Sequence, residues 1–182
     1  MFNKTLFSED LAVLRSHFVY ILVFVLSFTF VSTSALAQSS AENANVDELI
    51  YEGSLYYSRG DCDLSQYIFQ EALKLEPSNP DAMLGKARAL VCLGALELGI
   101  EEYRKVLAVT PQNINAHVHL ANTYRAQYAA DPQNNSSSLD QALATVQSAE
   151  QIAPSDPRVL NIKGVVYYQR GDLESAKIAL ER

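Results

Sequence analysis

The chain has 182 residues with two cysteines, three histidines and no tryptophan, too thin a supply for a metal cluster or a multi-bridge disulfide framework. Twenty-one acidic against 14 basic residues leave a net charge of −7, which argues against a nucleic-acid or anionic-membrane partner. No basic run is longer than Arg104-Lys105, so no local stripe offsets that sum.

Residues 1–37 look like a secretory signal peptide. Lys4 and Arg15 precede an apolar run over 18–31, and Ala35-Leu36-Ala37 places small residues two apart before Gln38. The run is shorter than the roughly 20 residues a membrane-spanning helix needs. An uncleaved signal-anchor reaching about Leu36 is the alternative, and it would leave the protein membrane-anchored. No cysteine lies near the cleavage site to carry a lipid. The expectation is an exported chain, periplasmic or extracellular, with no membrane insertion after cleavage. Residues 38–45 are small and polar and read as a flexible lead-in. Asn45 with Glu48 resembles a capping pair.

Residues 46–79 hold two amphipathic patterns that break at Arg59-Gly60-Asp61. Leu49, Ile50, Gly53, Tyr56 and Tyr57 recur at helical spacing in the first half, and Leu64, Ile68, Phe69, Ala72, Leu73 and Leu75 in the second. Pro77 closes the unit, an αα-hairpin that buries too little apolar surface to stand alone. The next 34 residues repeat it: Gly53 maps onto Ala87, Gly60 onto Gly94, Ser65 onto Gly99, Phe69 onto Tyr103 and Pro77 onto Pro111. Helices are predicted near 46–59, 63–75, 80–93 and 96–109. Asn79-Pro80 and Asp156-Pro157 each put a capping residue before a proline at the first helical position.

A third unit, 114–156, carries Ala121, Tyr124, Ala142, Val146, Ala149 and Pro154 in the same register. Between Tyr124 and Leu139 it holds nine residues more than the period allows, and the polar stretch near 128–138 is expected to lengthen the hairpin loop. A fourth unit, 157–182, begins with Gly164, Tyr167, Gly171 and Ala176 and is incomplete. Small residues recur where helices must cross closely. The chain from 46 to 182 therefore reads as an all-α solenoid of αα-hairpins, about eight helices and no strands.

Motifs for catalysis are missing: there is no Gly-rich phosphate loop, no HExxH, no Gly-x-Ser-x-Gly and no Cys-x-x-Cys. His117 and His119 lie on different sides of one helix and cannot share a metal. His117 reads as core packing, and Asp61 and Asp63 as helix-start residues rather than a calcium loop. Neither a cofactor nor a metal is expected. Cys62 and Cys92 fall at helix ends that antiparallel packing brings together. They read first as two small buried apolar residues, with a disulfide as the alternative in an oxidising compartment.

The motifs Gly-x-x-Tyr-Tyr at Gly53 and at Gly164, Gly-Asp at Gly60 and at Gly171, and Ala-Leu-x-Leu-x-Pro at residues 72–77 resemble the tetratricopeptide repeat. The resemblance covers residue 46 onward and implies a right-handed superhelix whose concave face is lined by the first helix of each repeat. It places Asp47, Ile50, Ser54 and Tyr57, then Asp81, Leu84, Arg88 and Val91, on that face. Asn115, Val118, Asn122 and Arg125, then Arg158, Asn161, Val165 and Tyr168, follow in repeats three and four. Ile50 and Ser54 stand where the family's carboxylate clamp carries Lys and Asn, so that clamp is not expected. Tyr57, Arg88, Asn122, Arg125, Asn161 and Tyr168 are the candidate peptide-binding groove, with Asp47 and Asp81 able to neutralise the arginines. The implied function is a non-enzymatic scaffold for a protein or peptide partner. The alternatives are a recognition module of a longer protein and a structural solenoid that self-associates through its incomplete fourth repeat.

Overall fold

The structure, a computed structural model, describes residues 45–181. The signal-sequence reading of 1–37 and the lead-in up to residue 44 lie outside the described residues. Eight helices and no strand occur among the described residues: α1 Val46–Ser58, α2 Cys62–Leu75, α3 Pro80–Cys92, α4 Leu96–Val109, α5 Ile114–Ala130, α6 Ser138–Ile152, α7 Pro157–Gln169 and α8 Leu173–Leu180. Consecutive helices pair as hairpins, and each hairpin packs on the next. The first helices α1, α3, α5 and α7 also touch one another in succession, whereas the second helices of neighbouring repeats do not. The first helices therefore line the inner side of the solenoid.

Local chemistry sets the helix starts. Each first helix follows an Asn or Asp whose side chain accepts an otherwise orphaned amide: Asn45 from Asp47 N at 3.2 Å, Asn79 from Asp81 N and Ala82 N at 3.1 Å, Asn113 from Ala116 N at 3.0 Å and Asp156 from Arg158 N at 2.8 Å. Pro80 and Pro157 begin their helices without losing a bond. The hairpin turns of repeats one, two and four reverse at Gly60, Gly94 and Gly171, whose φ values of 84°, 80° and 81° lie in the left-handed region.

The third hairpin differs from the expectation that its insertion would go into the loop. α5 runs four residues longer than α3, the turn between α5 and α6 is four residues longer than the others, and α6 is one residue longer than α4. Ala129 and Ala130 are strong helix formers, and Pro132 disfavours helix only from the residue before it onward, so the helix runs on to Ala130. The extra turn is fastened on both sides: Gln127 Nε2 donates to Glu97 Oε1 (3.2 Å), and Ser138 Oγ donates to Gln127 Oε1 (2.8 Å).

A continuous apolar core runs from Met83 on α3 to Val166 on α7. Repeat one adds a second cluster of Phe69, Ala72 and Ala82, with Val46, Leu49 and Ile50 against it, and Leu73 of α2 packs on both clusters. One joint recurs between repeats. Phe69 lies against α3 at Gly85, where an added Cβ would fall 2.2 Å from the ring, and Tyr103 lies against α5 at His119, ring stacked on ring at 6.0 Å. Val146 and Ile162 hold the same positions in the next pair, and both are buried. In α8 the equivalent residue, Leu180, is 56% exposed.

Candidate functional site

The inner face divides into two parts. In the first, the last turn of α1 presents Tyr57 and α3 presents Arg88, whose guanidinium carbon stands 4.2 Å from the centroid of the Tyr57 ring. Such stacking orients the planar cation and leaves its in-plane donors for a second group. Arg88 Nε is buried with no hydrogen-bond partner among the described residues. Neither Asp47 nor Asp81 pairs with Arg88 or Arg125.

Tyr103 and His119 lie beside this pair. Burial, reinforced by the neighbouring Tyr57 and partly offset by Arg88, raises the Tyr103 hydroxyl above its ordinary range. His119 stacks on Tyr103, and its pKa is pushed down to about 4 by burial and by the positive charges of Arg88 and Arg158. At neutral pH it is an uncharged ring between two cations.

The second part is a cavity of about 280 Å³ between α5 and α7, lined by Val118, Asn122, Arg125, Arg158, Asn161, Ile162 and Val165. Arg125 Nε is buried and unpartnered among the described residues. Arg158 is held in place: Nη2 meets Asp156 Oδ2 at 2.6 Å and Nη1 donates to Asn115 Oδ1 at 2.5 Å. Asn122 donates to Val118 O (3.2 Å). Two guanidiniums and no carboxylate line the cavity, so its polar wall mostly donates hydrogen bonds and its remaining wall is aliphatic.

The structure thus gathers Asn122, Arg125 and Asn161 in one cavity and sets Tyr57 with Arg88 beside it. Tyr168 is 66% exposed and does not line that cavity. His117 is buried, its Nε2 2.9 Å from Pro111 O, as a core residue would be. Sequence reasoning passed over His119 and Tyr103. The available signal was that each occupies the joint position held by Gly85 or Phe69 one repeat earlier.

Cys62 and Cys92 are joined by a disulfide with a Cα–Cα distance of 6.0 Å, in place of the two unpaired apolar residues first read from the sequence. Cys92 is exposed, whereas Cys62 is buried. Among the described residues no His, Cys, Asp and Glu group is placed to hold a metal ion, and no helix is long and apolar enough to cross a membrane.

Residues 52–114 match the family model described as tetratricopeptide repeat. A 91-residue stretch, half of this chain, is 28% identical to the TPR repeat-containing thioredoxin TTL4 of Arabidopsis thaliana and spans 13% of that protein's length. Among solved structures, a thermophilic TPR protein of Thermus thermophilus superimposes with a TM-score of 0.69 at 27% identity, over 75% of this chain and 71% of that one. A pilF protein of Pseudomonas aeruginosa gives 0.65 at 25% identity, over 75% and 58%. MamA gives 0.65 over 78% of each chain, a likeness of fold alone at 17% identity.

Proposed function

Since the chain is a tetratricopeptide repeat protein, we propose that it is an exported, non-enzymatic scaffold whose inner face holds an extended acidic segment of a partner protein. The observation that carries this reading is the pair Arg88 and Arg125. Both hold buried, unpartnered Nε groups on the inner face, and no carboxylate among the described residues forms an ion pair with either one. With each Nε buried, the half-buried guanidinium can meet a carboxylate through its two Nη groups, which donate two parallel hydrogen bonds. A chain of net charge −7 repels acidic ligands elsewhere, which makes such a local positive site selective. The disulfide supports export, because such bonds persist in oxidising compartments.

The test is fluorescence anisotropy with labelled acidic, neutral and basic peptides at low salt. Acidic peptides should bind best, with an affinity that falls as salt rises. Arg88→Ala with Arg125→Ala should weaken binding by roughly tenfold or more while leaving the helical circular dichroism signal unchanged. Undiminished binding by the double variant would refute the reading. A second reading, a recognition module of a longer protein, draws support from the curated relative, whose matched stretch is a small part of its length. Reading the gene past Arg182 tests it.

A further inference from the structure

We propose that the Cys62–Cys92 disulfide is a thiol-exchange site, a latch that docks repeat one onto the rest of the solenoid and that a dithiol reductant can open in the folded protein. An open cavity of about 440 Å³ lies directly beside the bond, walled by Gly60, Asp61, Leu64 and Leu93 together with the two cysteines. Access is one-sided, since Cys92 is exposed and Cys62 is only 5% exposed. The incoming thiolate therefore attacks Cys92 Sγ. The Sγ–Sγ bond breaks, and its electron pair leaves on Cys62 Sγ, which then takes up a proton. The reductant's second thiol closes on the mixed disulfide and releases the Cys92 thiol. The protein gains two electrons and two protons, and the dithiol becomes a disulfide.

The leaving sulfur is well placed. Cys62 is the first residue of α2, and the Asp61 side chain makes no capping bond there. The helix dipole favours a thiolate at that position, although the flanking Asp61 and Asp63 act against it.

The bond matters because of what else attaches repeat one. Repeat one joins the main core through Leu73 and through a cluster of Phe69, Ala72 and Ala82, with Val46, Leu49 and Ile50 packed against that cluster. In a linear array each repeat is held by its neighbours alone, so a repeat packed on one neighbouring repeat opens more readily than those packed between two. The disulfide crosses that interface from α2 to α3. It also lies next to the inner face, since Arg88 is one turn before Cys92 and Tyr57 is five residues before Cys62. Opening the latch would separate Tyr57 from Arg88. This last consequence rests on the acidic-groove reading given above; the latch itself does not.

The experiment follows hydrogen exchange by mass spectrometry on the oxidised chain, on the same chain with increasing dithiothreitol, and on the Cys62→Ser, Cys92→Ser variant. Dithiothreitol should release two alkylatable thiols while the helical signal persists. Exchange in α1 and α2 should then accelerate tenfold or more, with α5 to α7 changing less than twofold. A bond that resists reduction until the whole chain unfolds would overturn the proposal. So would unchanged exchange in α1 and α2, or acceleration spread evenly over all helices. The reduced wild-type chain gives the same readout if the double variant does not fold. A poly-glutamate peptide bound by the oxidised chain should bind the reduced chain at least fivefold more weakly. Equal binding by both would overturn the link to the groove. No binding by the oxidised chain would instead count against the acidic-groove reading, and the exchange result would still decide the latch.

Discussion

Gly85→Ala is the sharpest test of how the repeats are joined. Gly85 lies inside α3, where alanine should stabilise the helix by about 1 kcal/mol. The added Cβ would stand 2.2 Å from Phe69 Cε1 and Cζ and 2.6 Å from Cδ1. Ordinary carbon contact is about 3.5–4.0 Å, so the ring must withdraw by more than 1 Å, on the order of a full methyl radius. It has little room to do so. Phe69 is 2% exposed, and the same end of the ring, at Cζ, lies 3.0 Å from the place a Cβ at Gly53 would occupy, so α1 also crowds it. Overpacking of this kind destabilises by roughly 1–3 kcal/mol, which outweighs the helical gain and leaves a net loss of about 1 kcal/mol. For a unit of this size that is roughly 3–4 °C in the melting midpoint. Gly53→Ala is the control, because a shift of a few tenths of an ångström accommodates it and the net change should be near zero. Adding Phe69→Leu to Gly85→Ala should recover part of the loss, giving a favourable coupling of about 1 kcal/mol. A Gly85→Ala protein as stable as the parent, or a strictly additive pair, would refute the account of this joint.

Two further outcomes are expected. His119 titrates near 6.5 when unfolded and near 4 when folded, so the unfolded state binds more protons between those values and stability should fall as pH drops from 6.5 toward 4. Asp156, held down to about 2 chiefly by its bonds to Arg158, loses its contribution only below about 4, outside that window. Urea midpoints at several pH values should decline less for His119→Gln than for the parent, and parallel declines would sink the argument. If the chain is exported with its signal removed, mass spectrometry of the mature protein should find Gln38 or a close neighbour at the N-terminus; an intact Met1 on membrane-bound protein would favour the anchor.

Features written within a few residues were legible in the sequence. The apolar spacing, the Asn and Asp caps and the turn glycines fixed the first four helices to within one residue at either end, and the 34-residue register gave the hairpin stack. Features that depend on a second helix were harder to read. A glycine inside a helical pattern such as Gly85 looks like a weakness until Phe69, 16 residues earlier, is known to need the space. The same blindness hid His119, which a linear reading shows only as unable to share a metal with His117 and which stacks on Tyr103 of the preceding repeat. The cysteine pair was visible, but bonding depends on how α2 meets α3, and that is a property of packing. The groove arginines were found because the repeat frame alone decides which side of a first helix faces inward. Their lack of acidic partners could not be found that way, since Asp47 and Asp81 are close in the frame and still do not reach them.

The two ends of the stack bear on what the chain can assemble with. At the third position of each first helix, Ala82, Ala116 and Val159 are fully buried against the preceding repeat, at 0% exposure. In α1 the same position is Glu48, which is exposed, and the joint position that holds Gly85 in α3 holds Tyr51, 72% exposed. A second copy that continued the solenoid by laying its α1 on α8 would carry the Glu48 carboxylate into a site built for a small apolar side chain. Burying an unpaired carboxylate is far more unfavourable than covering Leu180 and Ile178 is favourable, since a buried aliphatic side chain contributes only about 1.5–3 kcal/mol. End-to-end growth in the register of the repeats would have to accommodate Glu48 of α1. A geometry that leaves Glu48 in water avoids that cost. The inner face carries no such obstacle: Arg88 and Arg125 form no ion pair with a carboxylate among the described residues, so an acidic segment laid along it meets unpaired guanidiniums.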